Sequence, residues 1–154
     1  QLTHLHAQRA DVAAEVERIV LEHPLFQVLT SMPGVGIRTA AVIIAELSGK
    51  HFKNAAALAS YAGLAPTTRQ SGTSIKSERV SHSGNKRLKR ALFLSAFATI
   101  RTDAISRSYY DKKRAQGKRH NQAIIALAHR RLTVLHAMIR DGSLYDPPEP
   151  ALAA

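Results

Sequence analysis

Apolar positions recur at helical spacing along most of the chain, and this pattern predicts a mainly α fold. The segments that carry it are residues 2–23, 25–31, 38–47, 55–62, 86–101, 104–116 and 120–140. Residues 63–85 lack this spacing and contain Pro66 and three glycines, which disfavour a helix. Ile75 and Val80 could lie in a short β-hairpin there. We therefore expect a coiled-coil end helix, a helix-hairpin-helix unit, a small hairpin or loop, and a helical C-terminal half.

The first predicted helix carries a heptad seam. Its members, spaced alternately by three and four residues, are Leu2, Leu5, Arg9, Val12, Val16, Ile19 and His23. Such a stripe either packs on the helix's own domain or continues a coiled coil. The chain opens with Gln1 rather than Met, which suggests a fragment of a longer protein and favours the second interpretation. Residues 1–23 are thus predicted to be the end of a coiled coil that supports dimers.

Residues 25–47 resemble a helix-hairpin-helix. Pro33 ends the first helix, while Gly34 and Gly36 permit positive φ and close approach of the backbone. The free amide N–H groups at the start of the second helix, beside Arg38, can hold a phosphate with the help of the helix dipole. The alternative is a tight corner between two helices that binds no ligand. The combined pattern favours phosphate binding.

Positive charge is concentrated in the second half of the chain. Lys and Arg total 22 against 11 Asp and Glu, for a net charge of +11. Residues 1–68 are neutral overall, whereas residues 69–140 hold 17 cations and only three acids. Repulsion among these cations opposes folding unless a polyanion offsets it, so nucleic acid is the expected partner. A membrane surface is disfavoured, because no helix joins this charge to a wide apolar face with aromatic anchors.

Particular cations are predicted to bind phosphates. Lys86, Arg87, Lys89 and Arg90 fall in the first two turns of the helix predicted over residues 86–101, where they oppose the helix dipole. A bound phosphate nearby would remove that conflict. The remaining candidates are Arg69, Lys76, Arg79 and Lys118.

The composition excludes several kinds of chemistry. There is no Cys, which rules out disulfides, thiolate catalysis and cysteine-ligated metals. The eight His residues are scattered, and the acids near the cations are too few for two-metal phosphoryl transfer, so no metal ligands are assigned. Aromatic residues make up 5% of the chain and Trp is absent, so base stacking on aromatic side chains is not expected to dominate binding.

The composition is compatible with catalysis by a hydroxyl nucleophile that forms a covalent bond to DNA. Attack on a phosphodiester needs an exposed hydroxyl, nearby positive charge and a backbone that DNA can approach. Ser71 fits because Gly72 follows it and cations flank it in sequence. By spacing alone the neighbouring hydroxyls would serve nearly as well, and these are Thr68, Thr73 and Ser74.

Two other interpretations compete with a serine nucleophile. The hydroxyls of this Ser- and Thr-rich segment could simply satisfy backbone groups of a loop. Tyr109 and Tyr110 are rival nucleophiles, although a Tyr beside a run of Lys on an amphipathic helix is also explained by half-buried packing. The residues by themselves do not choose among these.

Longer motifs resemble those of one known family. They are Gly63-Leu64-Ala65-Pro66, Gln70-Ser71-Gly72, Gly84-Asn85-Lys86-Arg87-Leu88-Lys89-Arg90-Ala91-Leu92, Tyr110, and Gly117-Lys118 before an Ala- and Arg-rich helix. Together with the preceding Pro-Gly-Val-Gly turn, they resemble the C-terminal transposase domain of the "insertion sequence one hundred and ten" family, which includes the Piv and MooV invertases. The resemblance covers approximately residues 25–140.

This resemblance implies a DNA transposase or site-specific recombinase with two catalytic parts. An N-terminal RuvC-like domain, absent from this chain, would supply an acidic tetrad that binds Mg²⁺, and a coiled coil would lead to the present domain. The family's serine corresponds to Ser71, which would attack DNA and form a transient phosphoserine link. Members are guided by a bridge RNA, so the implied partners are DNA, guide RNA and further copies of the protein in a dimer or tetramer.

Two features depart from the family pattern. Without the acidic domain, the chain is not expected to complete strand exchange alone. Lys89 stands where an Arg is expected before Arg90, which loses the bidentate geometry that suits phosphate. The competing hypothesis is a non-catalytic helix-hairpin-helix module that binds nucleic acid, in which Ser71 is only a loop hydroxyl.

The expected organisation has three parts. Residues 1–23 are the coiled-coil and dimerisation helix, residues 24–142 the transposase catalytic domain, and residues 143–154 a flexible tail. No apolar run approaches the length of about 18 residues that would indicate a membrane span, and no signal peptide is evident. A cytoplasmic, nucleoid-associated bacterial protein is therefore expected.

Overall fold

The computed structural model describes residues 1–69, 77–80 and 83–148, and this part of the chain is mainly α as predicted. Its helices are α1 (Leu2–Leu21), α2 (Phe26–Thr30), α3 (Ile37–Leu47), α4 (Ala55–Tyr61), α5 (Lys86–Thr102), α6 (Ala104–Ala115) and α7 (His120–Asp141). Its strands are β1 (Pro66–Arg69) and β2 (Ser77–Val80). Each predicted helix is found within two residues of its expected bounds.

Side-chain caps and glycines set the ends of these helices. The side chains of Asn54, Asn85 and Asp103 each accept a hydrogen bond from an amide in the first turn of α4, α5 and α6, at 2.9–3.0 Å. The last helix, α7, ends at Gly142, whose φ of +62° suits glycine. Local sequence thus determines where most of the helices begin and end.

The core is built around α7, which contacts α2, α4, α5 and α6. Burial of large aliphatic side chains at helical spacing drives this arrangement, since each contributes about 1.5–3 kcal/mol when removed from water. The largest side chains that are almost fully buried are Leu29, Ile43, Leu58, Leu88, Ile124, Leu127, Leu132 and Leu135. They come from α2, α3, α4, α5 and α7, so the helix-hairpin-helix and the C-terminal half share one core.

The helix-hairpin-helix predicted for residues 25–47 is present as α2, a turn and α3. Gly34 in the turn has a φ of +76° and lies directly against α5. A Cβ built on Gly34 would lie 2.6 Å from both the Ser95 carbonyl oxygen and the Thr99 methyl carbon. This glycine is therefore required by close packing of the turn on α5, in addition to its backbone conformation.

A two-stranded antiparallel ladder interrupts the helices, in agreement with the hairpin expected between residues 63 and 85. Strand β1 pairs with β2 so that Pro66 lies opposite Val80 and Arg69 opposite Ser77. Val80 lies in β2, as predicted, whereas Ile75 lies outside the described residues.

Two glycines close the base of this ladder. A Cβ on Gly84 would lie 2.5 Å from the amide nitrogen of Gly63 and 2.9 Å from the Tyr61 carbonyl oxygen. Both glycines have positive φ, and the amide of Asn85 donates a 2.7 Å hydrogen bond to the same Tyr61 carbonyl. The chain therefore leaves and re-enters the helical core at one point, which we call the neck (residues 61–63 and 83–85).

Helix α1 stands largely apart from the core. Val20 is its one buried residue in the described structure, and α1 contacts α3 near its own C-terminal end. The apolar members of the predicted seam are exposed by 46–75%, and they are Leu2, Leu5, Val12, Val16 and Ile19. Within the described residues the seam is exposed and is not packed against the core, and the coiled-coil end stays a prediction.

The segment predicted as a tail from residue 143 contacts the core through Tyr145. The amide of Tyr145 donates a 2.8 Å hydrogen bond to the Ser31 hydroxyl, and the Tyr145 ring packs against the core. The boundary at residue 142 stays a prediction. Residues 149–154 lie outside the described part of the chain.

Gly34→Ala should lower the free energy of unfolding by more than Gly49→Ala does. Both glycines have positive φ, +76° and +69°, so both changes introduce similar backbone strain of about 1–2 kcal/mol. Only Gly34 has atoms in the space a Cβ would take, whereas Gly49 has nothing within 4 Å. Overpacking adds about 1–3 kcal/mol, a difference that urea unfolding of the two variants would measure. Equal losses would show that the turn can move away from α5.

Candidate nucleic-acid interface

The amino-terminal end of α5 presents three of the four cations predicted there to solvent. Lys86, Arg87 and Arg90 are exposed, and Lys86 and Arg90 are one helical turn apart. Lys89 is half-buried, and burial lowers the pKa of its ammonium group. The exposed three are therefore better placed to meet a phosphate than Lys89 is.

The conflict between these cations and the dipole of α5 is offset inside the protein. The Glu46 carboxylate, from the last turn of α3, accepts a 2.6 Å hydrogen bond from the Asn85 amide group and lies 3.4 Å from Arg87 Nε. A carboxylate at the positive end of a helix is favourable. A bound phosphate is thus not needed to explain the cluster. The contact was not predicted from the sequence, because Glu46 lies 39 residues before Asn85.

A polar network centred on Asn85 joins the neck to α3 and α5. Asn85 Nδ2 also donates to the Tyr61 hydroxyl at 3.0 Å, while Asn85 Oδ1 accepts from the Leu88 amide. The Tyr61 ring packs against Phe52, with 5.2 Å between ring centroids. This network fixes the start of α5 relative to the C-terminal ends of α3 and α4.

Arg69 and Arg79, two of the predicted phosphate ligands, lie on the ladder itself. Thr67 pairs with Arg79 and Arg69 pairs with Ser77. Paired residues share one face of a ladder and faces alternate along each strand, so Arg69 and Arg79 occupy positions on the same face. The register of the ladder thus relates two positions that are ten residues apart in sequence.

The predicted nucleophile falls in the segment that joins the two strands. Ser71 and Lys76 lie outside the described residues, as do the alternatives Thr73 and Ser74. Thr68 is in β1, where it pairs with Glu78. The assignment of Ser71 therefore continues to rest on the sequence, together with the position of the strands on either side of it.

The start of α3 offers a second place for a phosphate. Its N-cap residue is Gly36, and no side chain in the described structure caps this end. A Cβ at Gly36 would meet nothing within 4 Å, and Arg38 in the first turn is exposed. Gly34 and Gly36 are both exposed, but α5 fills the space that a Cβ of Gly34 would take. The backbone at Gly36 is open to an approaching ligand.

Arg131 holds the helix-hairpin-helix turn against the helical core and was not anticipated from the sequence. This arginine of α7 is 8% exposed, and its guanidinium donates to the Pro33 carbonyl oxygen and, at 3.1 Å, to the Ser95 hydroxyl. Burial lowers the pKa of Arg131, and the nearby Asp103 carboxylate opposes that shift. Because arginine titrates far above neutrality, Arg131 stays charged, and it acts as an internal brace.

The two rival tyrosine nucleophiles are both engaged in packing. The Tyr110 hydroxyl is hydrogen-bonded to His120 Nδ1 at 2.7 Å, and the ring of His120 also meets Phe97 edge-on. The ring of Tyr109 is half-buried and has cations near it. Both contacts agree with the packing interpretation.

The described residues do not fit a metal ion or a membrane span. Nowhere in residues 1–69, 77–80 and 83–148 do three or more His, Asp or Glu side chains come together as metal ligands. The Mg²⁺ implied by the family resemblance therefore has no ligand set in the described part of the domain. None of the described helices is both long enough and apolar enough to cross a bilayer.

Comparison with known proteins shows which family the chain resembles. The model of the "Transposase IS116/IS110/IS902 family" matches residues 26–111. The chain is 54% identical over 151 residues to the "Insertion element IS110 uncharacterized 43.6 kDa protein" of Streptomyces coelicolor, covering 97% of this chain and 37% of that protein. It is 43% identical over 152 residues to the "Insertion element IS900 uncharacterized 42 kDa protein" of Mycobacterium paratuberculosis, covering 97% and 38%.

A further relative is named for gene inversion and not for an insertion element. The "Pilin gene-inverting protein" of Moraxella bovis is 36% identical over 121 residues, which cover 77% of this chain and 38% of that protein. The chain thus spans less than two fifths of the length of these three relatives. The family model matches more than half of the chain and includes the helix-hairpin-helix, the neck and the whole of α5. This chain belongs to the IS116/IS110/IS902 family of transposases.

Proposed function

We propose that this chain is the serine-bearing part of a DNA transposase that cuts and rejoins strands under the direction of a structured RNA. The observation that carries the proposal is the neck. It joins the ladder, whose two strands precede and follow Ser71 in sequence, to the cationic start of α5. This supports a site in which the strands on either side of the proposed nucleophile and the proposed phosphate-binding groups share one attachment to the core.

In the proposed reaction, the Ser71 hydroxyl oxygen attacks the phosphorus of a phosphodiester. A phosphoserine ester forms, the bond from phosphorus to one strand oxygen breaks, and the proton lost by the serine ends on the leaving hydroxyl. Attack by a strand hydroxyl on the phosphoserine then reverses the exchange and frees the serine. Arg69, Arg79 and the exposed cations of α5 hold the phosphates and offset negative charge in the transition state.

In this proposal, the rest of the machinery would lie outside this chain, which spans less than two fifths of the relatives' length. We assign the acidic, Mg²⁺-binding step to a RuvC-like domain, and the choice of DNA sequence to pairing with a guide RNA. Phosphate contacts from this chain would position either nucleic acid without reading its bases. Helix α1 would bring two copies together through its exposed seam.

Ser71→Ala should abolish strand cleavage by the full-length protein with its RNA and Mg²⁺, while leaving DNA binding nearly unchanged. Alanine removes the attacking oxygen and none of the cations. Tyr110→Phe is the matched control, since it also removes one hydroxyl, and it should retain cleavage. A denaturation-resistant protein–DNA adduct, located by mass spectrometry, would identify the nucleophile directly. An adduct on Tyr109 or Tyr110 would overturn the serine mechanism.

Affinity of this chain for duplex DNA should fall steeply with salt, because each neutralised phosphate releases counterions. Arg90→Gln should reduce the slope of log affinity against log salt by about one unit. Glu46→Gln should make the slope of log affinity against log salt steeper, since it releases Arg87 from its 3.4 Å ion pair. Glu22→Gln removes the same charge from α1, where Glu22 pairs with Arg18, and is the control. A flat salt response in a filter-binding series would refute the interface.

Self-association should depend on the seam of α1. Val12 is 63% exposed, and Val12→Asp places a charge where two seams would meet. Ala14→Asp adds the same charge on the opposite side of the helix and should leave association intact. Sedimentation over a range of concentrations would measure both variants. If the parent chain sediments as a monomer throughout, α1 alone does not form the contact.

A further inference from the structure

A small cavity lies beside the neck, between the start of β1 and the face formed by α6 and α7. Its walls include Leu64, Pro66, Tyr109, Lys113, Ile125 and His129. The volume is about 180 Å³. Pockets for drug-sized ligands measure roughly 300–1,000 Å³, so this one would hold little more than a single ring system.

The cavity combines an apolar base with cationic walls. Leu64 is buried and Ile125 is half-buried, which gives the interior an aliphatic surface. Lys113 and Lys118 lie at its wall, and no residue that lines it in the described structure is acidic. The side chains of Gln122 and His129 add polar groups that can donate or accept hydrogen bonds. A neutral apolar ligand would make no ionic contact with the cations, whereas an anion without an apolar part would make no contact with the aliphatic surface.

The Tyr109 ring, which lines the cavity, makes cation–π contacts with two nearby cations. Lys113 Nζ lies 5.3 Å from the centroid of the Tyr109 ring, and Arg130 Cζ lies 4.6 Å from it. Contacts of this kind attract cations to the ring and limit their motion. Lys113 is therefore held at the wall of the cavity rather than extended into solvent.

We propose that this cavity binds one unpaired nucleotide, with the base against Leu64 and Ile125 and the adjoining phosphate against Lys113. The ligand class follows from the lining, because a nucleotide joins a flat apolar ring with polar edges to a negative charge. Charge complementarity with the surrounding cations favours a nucleotide that is part of a strand. The inference rests on the proposed function, since the strand in question is the one bound by the same domain.

The position of the cavity gives the unpaired nucleotide a role. Pro66 forms part of its wall and is also the first residue of β1, the strand that leads towards Ser71. Strand exchange requires that base pairs open near the cut. Taking a base out of the stack is costly, and least so when the base is already unpaired. A cavity that held such a base would help to keep the strands open during the exchange.

The test compares two duplexes that differ by one bulged 2-aminopurine nucleotide. This chain should bind the bulged duplex about tenfold more tightly than the fully paired one, which is the scale of one base contact. The fluorescence of 2-aminopurine should change on binding as the base enters the cavity. Ala126→Leu, which fills the cavity, should reduce the preference to less than about twofold. Ala56→Leu adds the same side chain at an exposed position of α4, and this variant should keep the preference for the bulged duplex.

A pair of charge variants gives an independent measurement. Lys113→Gln should reduce the preference for the bulge, whereas Lys112→Gln should retain it, because Lys112 is exposed and does not line the cavity. Thermal unfolding by circular dichroism verifies that each variant is folded. Equal binding of both duplexes by the parent chain, with a steep salt response, would overturn the cavity proposal alone. Failure to bind either duplex would overturn the proposed function.

Discussion

One buried charge holds the parts of this domain together. The Arg131 guanidinium sits among α7, α5 and the helix-hairpin-helix turn, and it donates to Ser95 and to the Pro33 carbonyl. A buried cation is costly unless its donors find partners, and a hydrogen bond to a charged group typically contributes about 1.5–3 kcal/mol. The turn must therefore stay where its carbonyl meets the guanidinium. Gly34 makes that possible, since any larger residue would hold the turn away from α5.

Contact of the turn with α5 makes the two glycines of the helix-hairpin-helix unequal. Gly34 and Gly36 are both exposed, but α5 fills the space that a Cβ of Gly34 would take and leaves the space at Gly36 empty. Close packing therefore requires glycine at position 34 and not at position 36. Packing also distinguishes the cations of α5, where Lys89 is half-buried while Lys86 and Arg90 are exposed. Packing, rather than the count of cations, selects the residues that can meet a phosphate.

The sequence predicted the local features of the fold and missed the long-range polar ones. Helix bounds follow from apolar spacing, caps and glycines, all of which act over a few residues, and these predictions were confirmed. The contacts of Glu46 with Asn85 and of Arg131 with Pro33 join residues 39 and 98 positions apart. No pattern along the chain marks such pairs. Ser71 was chosen from a resemblance between sequences, and its role stays a prediction.

The two glycines of the neck have a consequence for how this domain can change over evolution. The chain departs from and returns to the core at Gly63 and Gly84, and Leu64, directly after the first glycine, is itself buried in the core. Doubling the length of a flexible loop costs only about 0.6 kcal/mol. Insertions after Leu64 and before Gly84 are therefore expected to change the stability of the helices little. A family with this architecture can vary the length of this segment while its helical scaffold remains under separate selection.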